Sequence, residues 1–359
     1  MQPPDQQSLE RQRFTSLVEQ PNHRARFAGI VLVGLLAAFA LTTTVVPPPS
    51  TERSSLAAPS PAQQLRLGYF ANVTHAPALI TDQRGFLESA LGEDSTALET
   101  QIFNAGPAAI EALNSGALDA AYLGPTPALN SYLSSGGTSL KVVAGVTSGG
   151  ASLVVSADIA SVDQLTGTEL ATPQFGGTQD VALRHFLLER GIQDSVTVTP
   201  SSNGTVPQLF AREAIDGAWL PEPHASLLVE EYGARRLVDE AQLWPDGKFP
   251  TTVLVVNQDF LEEHPQTVKA LVAANSEAID WLNSAESAER LAAVQESLTE
   301  LNGSSLPDTV IGAALGEVSF DEEPLESTFP TLMEHIKSVG LGESGDLSKI
   351  VDGQWIGTS

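Results

Sequence analysis

Five short stretches carry the residues that could do chemistry: Asn72-Val73-Thr74-His75-Ala76-Pro77, Asn104-Ala105-Gly106-Pro107, Gly124-Pro125-Thr126-Pro127, Gly176-Gly177-Thr178 and Glu222-Pro223-His224. Each follows an expected strand and opens an expected helix. All but the fourth place Pro at or near the first helical position, where its missing N–H would be unpaired anyway. Gly at such a start lets a ligand approach the backbone. A helix start presents unpaired N–H groups and the positive end of the helix dipole. Several starts converging on one cleft would hold an anion without Lys or Arg. One such start is ordinary helix punctuation in any α/β protein. Five of them in two halves of a chain point to a shared site.

Catalytic signatures are absent from the pattern. The 6 His residues are scattered, with no HExxH and no pair at ligand spacing on one helix, so no metal site is expected. There is no GxSxG, no P-loop and no GxGxxG after the first strand. Glu222 and His224 could be drawn as a general acid/base pair, but two residues apart on a loop they need not face each other. His185, mid-helix beside Arg184, reads as a surface or core residue. With no Cys, disulfides, thiolate metal sites and thiol catalysis are excluded. No catalytic residue and no cofactor is expected.

The elements that must position these residues need two domains, which 359 residues can supply. Hydrophobic content of 42% and charged content of 17% suit a globular chain. The formal net charge of −26 repels nucleic acid. It also opposes an anionic ligand, so local donors would have to do the holding.

Arg11, Arg13, Arg24 and Arg26 precede an uncharged apolar run from Phe27 to Val46. At roughly 20 residues that run can span a bilayer as a helix, with the basic end in the cytoplasm and the bulk of the chain outside. A cleaved signal peptide is the other reading, because Ala38-Phe39-Ala40 fits a small-x-small cleavage site. Pro47-Pro48-Pro49 and the polar stretch from Ser50 to Pro61 then read as a linker. The expected division is 1–26 basic N-region, 27–46 anchor or signal peptide, 47–64 linker, 65–152 lobe one, 153–249 lobe two, and 250–359 lobe one again.

From Leu65 onward strands alternate with helices. The strands are expected near 65–70, 99–103, 120–123, 141–146 and 153–156, then 169–172, 196–199, 217–220 and 251–256. That spacing implies βαβ crossovers and a largely parallel sheet in each half. The C-terminal third is helical. Val268, Leu271, Val272, Ile279 and Leu282 form an apolar stripe, which Asn275 interrupts.

With these residues laid out, LRLGYFANVTHAPAL resembles the opening of the lobe-forming binding proteins for sulfonates, taurine and nitrate. FNAGPAAIEALNSGALDAAYLGPTPAL, KVVAGVTSGGASLVV, ATPQFGGTQDVALRHFL, IDGAWLPEPHASLLVEE and GKFPTTVLVVNQDFLEEHP resemble later parts of the same family, in order. The resemblance implies an α/β, two-lobed type II periplasmic-binding-protein fold, each lobe a mostly parallel sheet flanked by helices. It implies an outward crossing near Ala151 to Ser156, a return near Lys248 to Thr252, and a hinged cleft between the lobes.

Matched to the family's motifs, the implied ligand-binding residues of lobe one are Asn72, His75, Asn104, Gly106, Gly124, Thr126, Ser148 and Gly149. From the second lobe they are Gln174, Gly177, Thr178, Gln179, Glu222 and His224. His224 departs from the pattern, since many relatives have Trp there. Many Gram-positive relatives carry a lipid-anchoring Cys, and this chain has none.

The implied function is solute capture for an ABC importer, with no enzyme activity. Its implied partners are a small anionic ligand, the permease and, if the N-terminal segment is uncleaved, the membrane. The expected state is a monomer. The alternatives are a fold-related biosynthetic enzyme, resembling the branch that acts in menaquinone synthesis, or a membrane-tethered solute sensor. The branch that makes a thiamin pyrimidine is associated with a Cys-rich motif absent here, and a cytosolic enzyme would not carry the Phe27 to Val46 segment.

Overall fold

The computed structural model describes residues 60–355. The expected basic N-region and the anchor or signal segment lie outside the described residues. Among the described residues no helix is long and apolar enough to cross a membrane.

Along the chain come β1 (Gln64–Phe70), α1 (Ala76–Gln83), α2 (Phe86–Gly92), β2 (Ala97–Phe103), α3 (Gly106–Asn114), β3 (Ala120–Leu123), α4 (Pro125–Ser134) and β4 (Leu140–Gly149). Next are β5 (Ala151–Val155), β6 (Glu169–Thr172), α5 (Thr178–Glu189), β7 (Thr197–Pro200), α6 (Val206–Ala211), β8 (Gly217–Pro221), α7 (His224–Tyr232) and β9 (Arg235–Asp239). The last group is β10 (Pro250–Asn257), α8 (Gln258–Glu263), α9 (Pro265–Ser284), α10 (Ser287–Asn302), α11 (Asp308–Gly316), β11 (Val318–Phe320) and α12 (Phe329–Ser338).

The strands form two sheets, ordered β11-β4-β10-β3-β1-β2 and β7-β6-β8-β5-β9. In each most strands run one way, as expected, with a minority running against them. In the first, β1 runs parallel to β2 and β3, while β10 is antiparallel to β3 and β4, and β11 to β4. In the second, β6 is parallel to β7 and β8, while β5 is antiparallel to β8 and β9.

The reason lies in the crossings. The other long strands of each lobe end at the edge facing the partner lobe. The crossing strands β5 and β10 enter from that same edge, so they must run against their neighbours. The short strands β9 and β11 carry too little apolar pattern to be read from sequence.

Each sheet is buried on both faces. Along β10, Leu254 and Val256 join one core cluster and Val253 and Val255 the other. Successive side chains of a strand point to opposite faces, so a strand covered on both sides reads as a continuous apolar run. The stripe on α9 is buried against the first cluster, which also holds Leu79, Val294 and Ile311. Asn275, fully buried, interrupts that stripe because its Nδ2 donates to the carbonyl of Gly145 at 3.3 Å.

Gly145 itself is packed against the chain at Glu323, where a Cβ would overlap the backbone. Gly145→Ala is therefore expected to destabilise the protein by about 1–3 kcal/mol through overpacking. Denaturant unfolding monitored by tryptophan fluorescence checks this. An unchanged midpoint would show that the strand yields.

A candidate ligand-binding cleft between the lobes

The chain passes between the sheets at two neighbouring points. Outward it turns at Gly149 and Gly150, with φ of 79° and 71°, a left-handed pair that glycine adopts without strain. It returns through Phe249, whose carbonyl accepts from Gly149 N at 3.3 Å, and Thr251 Oγ1 donates to the Gly149 carbonyl. The crossings are thus tied side by side.

The strand ends beside these crossings enclose a cavity. Lobe one supplies Phe70, Asn72, Thr74 and His75 after β1, Asn104, Ala105 and Gly106 after β2, and Gly124 and Pro127 after β3. Lobe two supplies Pro173, Gln174, Gly177, Thr178 and Gln179 after β6, Asn203 after β7, and Pro221 ending β8. Thr251, at the start of β10, completes the wall.

The cavity is about 30 Å³ as traced by the centre of a water molecule. One water needs roughly 10–15 Å³ on that measure, so only a small group fits. None of the 17 lining residues is Asp, Glu, Lys or Arg.

The wall is nevertheless rich in donors. The helices α3, α4 and α5 all begin here; α3 and α5 leave unpaired N–H groups at their first turns, whereas Pro125 and Pro127 have none and leave α4 that of Thr126. His75 is buried, stacks on Phe70 at 4.2 Å between centroids, and is pushed down to about 3 by burial. Its Nδ1 accepts from the Phe70 amide at 3.4 Å, which leaves the hydrogen on Nε2. Asn72 Oδ1 is paired with His224 Nε2 at 3.1 Å across the lobes. The Asn72 amide NH2 is therefore left for the cavity. Thr178 Oγ1 and Asn203 Oδ1 are buried with no protein partner. Unpaired polar atoms in a closed cavity cost about 1–3 kcal/mol each; Thr178 Oγ1 can donate to an oxygen of a bound solute, whereas Asn203 Oδ1 needs a donor on it.

Of the residues expected from sequence, nine line this cavity: Asn72, His75, Asn104, Gly106, Gly124, Gln174, Gly177, Thr178 and Gln179. Five lie outside it. His224 stands behind Asn72, and burial pushes it down to about 4. Thr126 is fully buried under the first turn of α4. Ser148 is held in the ladder, opposite Pro250 and Ser319. Gly149 forms the turn by which the chain leaves the first sheet, as described above. Glu222 has its carboxylate turned away from the cleft, to Arg236 at 2.9 Å and the Ser226 amide at 3.0 Å. Burial pushes that carboxyl up, and the Arg236 charge opposes the rise.

Asn203 was not among the expected residues. It precedes a Pro-started helix after a strand, Ser201-Ser202-Asn203-Gly204 before Val206-Pro207, the same pattern as the other starts.

The buried imidazoles give a pH prediction. His75 at about 3, and His224 and His335 at about 4, stay neutral in the folded protein. In the unfolded chain each protonates near 6.5. Between those values the unfolded state binds more protons, so stability falls as pH falls from about 6.5. Glu240 works the other way. Raised by burial to about 7, its contribution is complete below the ordinary carboxylate range and is lost as pH rises through 7. Glu222, also raised by burial, acts with Glu240, and His185, also lowered, acts with the other histidines. The four histidines outweigh the two carboxyls, and the melting temperature is expected to be lower at pH 5 than at pH 7. Scanning calorimetry at both pH values checks the sign, and a higher value at pH 5 would contradict it.

The comparisons with known proteins agree with this architecture. A putative binding protein of Brucella abortus (strain 2308) is 29% identical over 60% of this chain, and the match spans 66% of that relative's length. The taurine-binding periplasmic protein of Escherichia coli (strain K12) is 26% identical over 56% of this chain and 64% of its own.

Among solved structures, the alkanesulfonate-binding protein SsuA from Xanthomonas axonopodis pv. citri, bound to MOPS, superposes with a TM-score of 0.66. It is 21% identical, over 79% of this chain and 96% of that one. The periplasmic nitrate-binding protein NrtA from Synechocystis PCC 6803 superposes with a TM-score of 0.69 at 17% identity, over 82% of this chain and 88% of that one. These likenesses establish the periplasmic-binding-protein fold. The description of the NMT1-like family matches residues 58–295, more than half of the sequence, and the chain belongs to that family.

Proposed function

We propose that this protein is the solute-binding component of an ABC importer and captures a small oxyanion, such as a sulfonate, taurine or nitrate, between its lobes. The observation that carries this reading is the cleft itself, where three helix starts and several neutral donors face a small cavity with no formal charge. Such a site selects an anion by oriented N–H groups rather than by a counter-ion. The relatives named above are binding proteins, and two are named for taurine and nitrate. The one titratable side chain in the wall, His75, is pushed down to about 3 by burial, and no carboxylate or amine stands beside it in the wall.

Capture on the outer face of the membrane, followed by delivery to a permease, fits both the relatives and the apolar segment Phe27 to Val46. That segment either anchors the protein or is removed. The mass of the mature protein distinguishes the two.

Isothermal titration calorimetry with an alkanesulfonate, taurine and nitrate tests the reading. Saturable binding of at least one is expected. Absence of heat with all three, for folded protein freed of carried-over ligand, would overturn it. The Asn203→Ala protein is expected to bind the same solute roughly tenfold more weakly, the effect of removing one buried hydrogen-bond partner.

A further inference from the structure

A second cavity, of about 180 Å³, lies behind the cleft where the lobes touch again. Lobe two contributes His185, Phe186, Glu189 and Arg190 of α5 and Trp219 of β8, and His335 of α12 closes the other side. Glu240 and Trp244, on the returning chain, complete the wall. The His185 and His335 rings stack at 3.7 Å between centroids, and Trp244 lies 5.4 Å from His335.

The anomaly is Glu240. It is 3% exposed, and its Oε2 accepts from Trp219 Nε1 at 2.7 Å. The Trp244 indole also stands close enough to favour its charged form. Among the described residues no Lys, Arg or His forms an ion pair with it, unlike the other fully buried carboxylates, Glu222 and Asp180. Arg190, the one cation in the cavity wall, instead lies over the Phe186 ring at 4.3 Å. Buried carboxylates are ordinarily paired, and one held by neutral donors alone lacks its counter-charge.

We propose that this cavity binds a small organic cation of the ammonium type, with Glu240 as its counter-ion and the Trp244, Trp219 and Phe186 rings as its walls. Aromatic faces attract ammonium groups, and a carboxylate at the back of such a box supplies the charge. The net charge of −26 attracts a cation to this site, whereas it opposes the anion in the cleft.

Because the walls come from both lobes, the cation binds the closed form best. It therefore raises the affinity of the cleft for its solute, and the solute raises affinity for the cation by the same factor. Only this coupling rests on the oxyanion reading. The site itself does not.

Protons enter the account as well. Burial holds Glu240 at about 7 in the empty cavity, so a bound cation expels a proton near neutral pH. Of the other groups that face it, burial also lowers His185 and His335, and Glu189 and Arg190 are the remaining charged side chains of the wall. Cation affinity is accordingly expected to rise with pH from 6 to 8.

The test is calorimetric titration of the full folded chain with tetramethylammonium, without any oxyanion, in buffers of different ionisation enthalpy. The expected result is saturable binding with proton release, weakened by roughly tenfold in Glu240→Gln through loss of the charge. Ala182→Leu, which fills the cavity from α5 and leaves the carboxylate in place, is expected to weaken it similarly. No binding would overturn the proposal, and so would binding unchanged in both variants, which would mark general attraction to an acidic protein. Sulfonate binding is measured separately, so its failure would remove the coupling and leave the cation site standing.

Discussion

Gly124→Val is expected to lower affinity for the captured solute by about 100-fold, roughly 3 kcal/mol, while leaving the melting temperature of the solute-free protein almost unchanged. Gly124 sits at the end of β3 and precedes α4, with φ of −67° and ψ of 149°, a conformation any residue adopts. Its glycine is required by space rather than by backbone. A Cβ there would overlap Thr178 Oγ1 from the opposite lobe and crowd Thr178 Cβ at 3.1 Å.

Under the proposed hinged closure, the overlap belongs to the shut form. An open protein relieves it without disturbing either core, so the cost falls on closure and hence on binding. Titration calorimetry of the variant, paired with thermal unfolding, separates the two effects. Wild-type affinity would show that Thr178 rotates aside. A large loss of stability would place the glycine in folding rather than in capture.

Glu222→Gln is expected to destabilise the protein by about 3 kcal/mol, near the lower end for removing one partner of a buried ion pair. The side chain of Glu222 is fully buried, while that of Arg236 is 21% exposed, so solvent offsets part of the loss. Arg236 also reaches Ser152 on β5 and, at 3.7 Å, Glu317 beside β11. The pair therefore fastens β8, β5 and β9 together at the crossing.

Removing the carboxylate leaves the guanidinium with the longer contact to Glu317 and its serine hydrogen bonds only, an under-compensated charge. Replacing both partners by apolar residues, as in Glu222→Leu with Arg236→Met, should recover much of the loss, because the stranded charge is then gone. A double-mutant cycle in denaturant measures the coupling. Additive effects would mean the two residues act independently.

These two residues show how far the sequence is legible. The helix starts at Asn104 to Pro107, Gly124 to Pro127 and Gly176 to Thr178 announce the cleft because Pro and Gly leave a local signature. Their convergence depends only on strand direction, which alternation of strands and helices already implies. Asn203 bears the same local signature and was readable in principle.

Glu222 was not readable in the same way. A Glu at a Pro-bearing helix start looks like a site residue, and only the distant Arg236 shows that its charge is spent on structure. Ser148 and Gly149 likewise look like an exposed loop until β11 pairs across them. The direction of β5 and β10 depended on knowing where the chain changes lobe. A local pattern carries no such information.

The central claim is that uncharged donors from both lobes hold an oxyanion in the closed cleft. A crystal structure of the protein with its best-binding sulfonate or nitrate tests this most directly. The anion's oxygens are expected about 3 Å from the first-turn N–H groups of α3 or α5 and from His75 Nε2, with no Lys or Arg in contact. An anion seated elsewhere against a cationic side chain, or a cleft left empty at saturating solute, would contradict it.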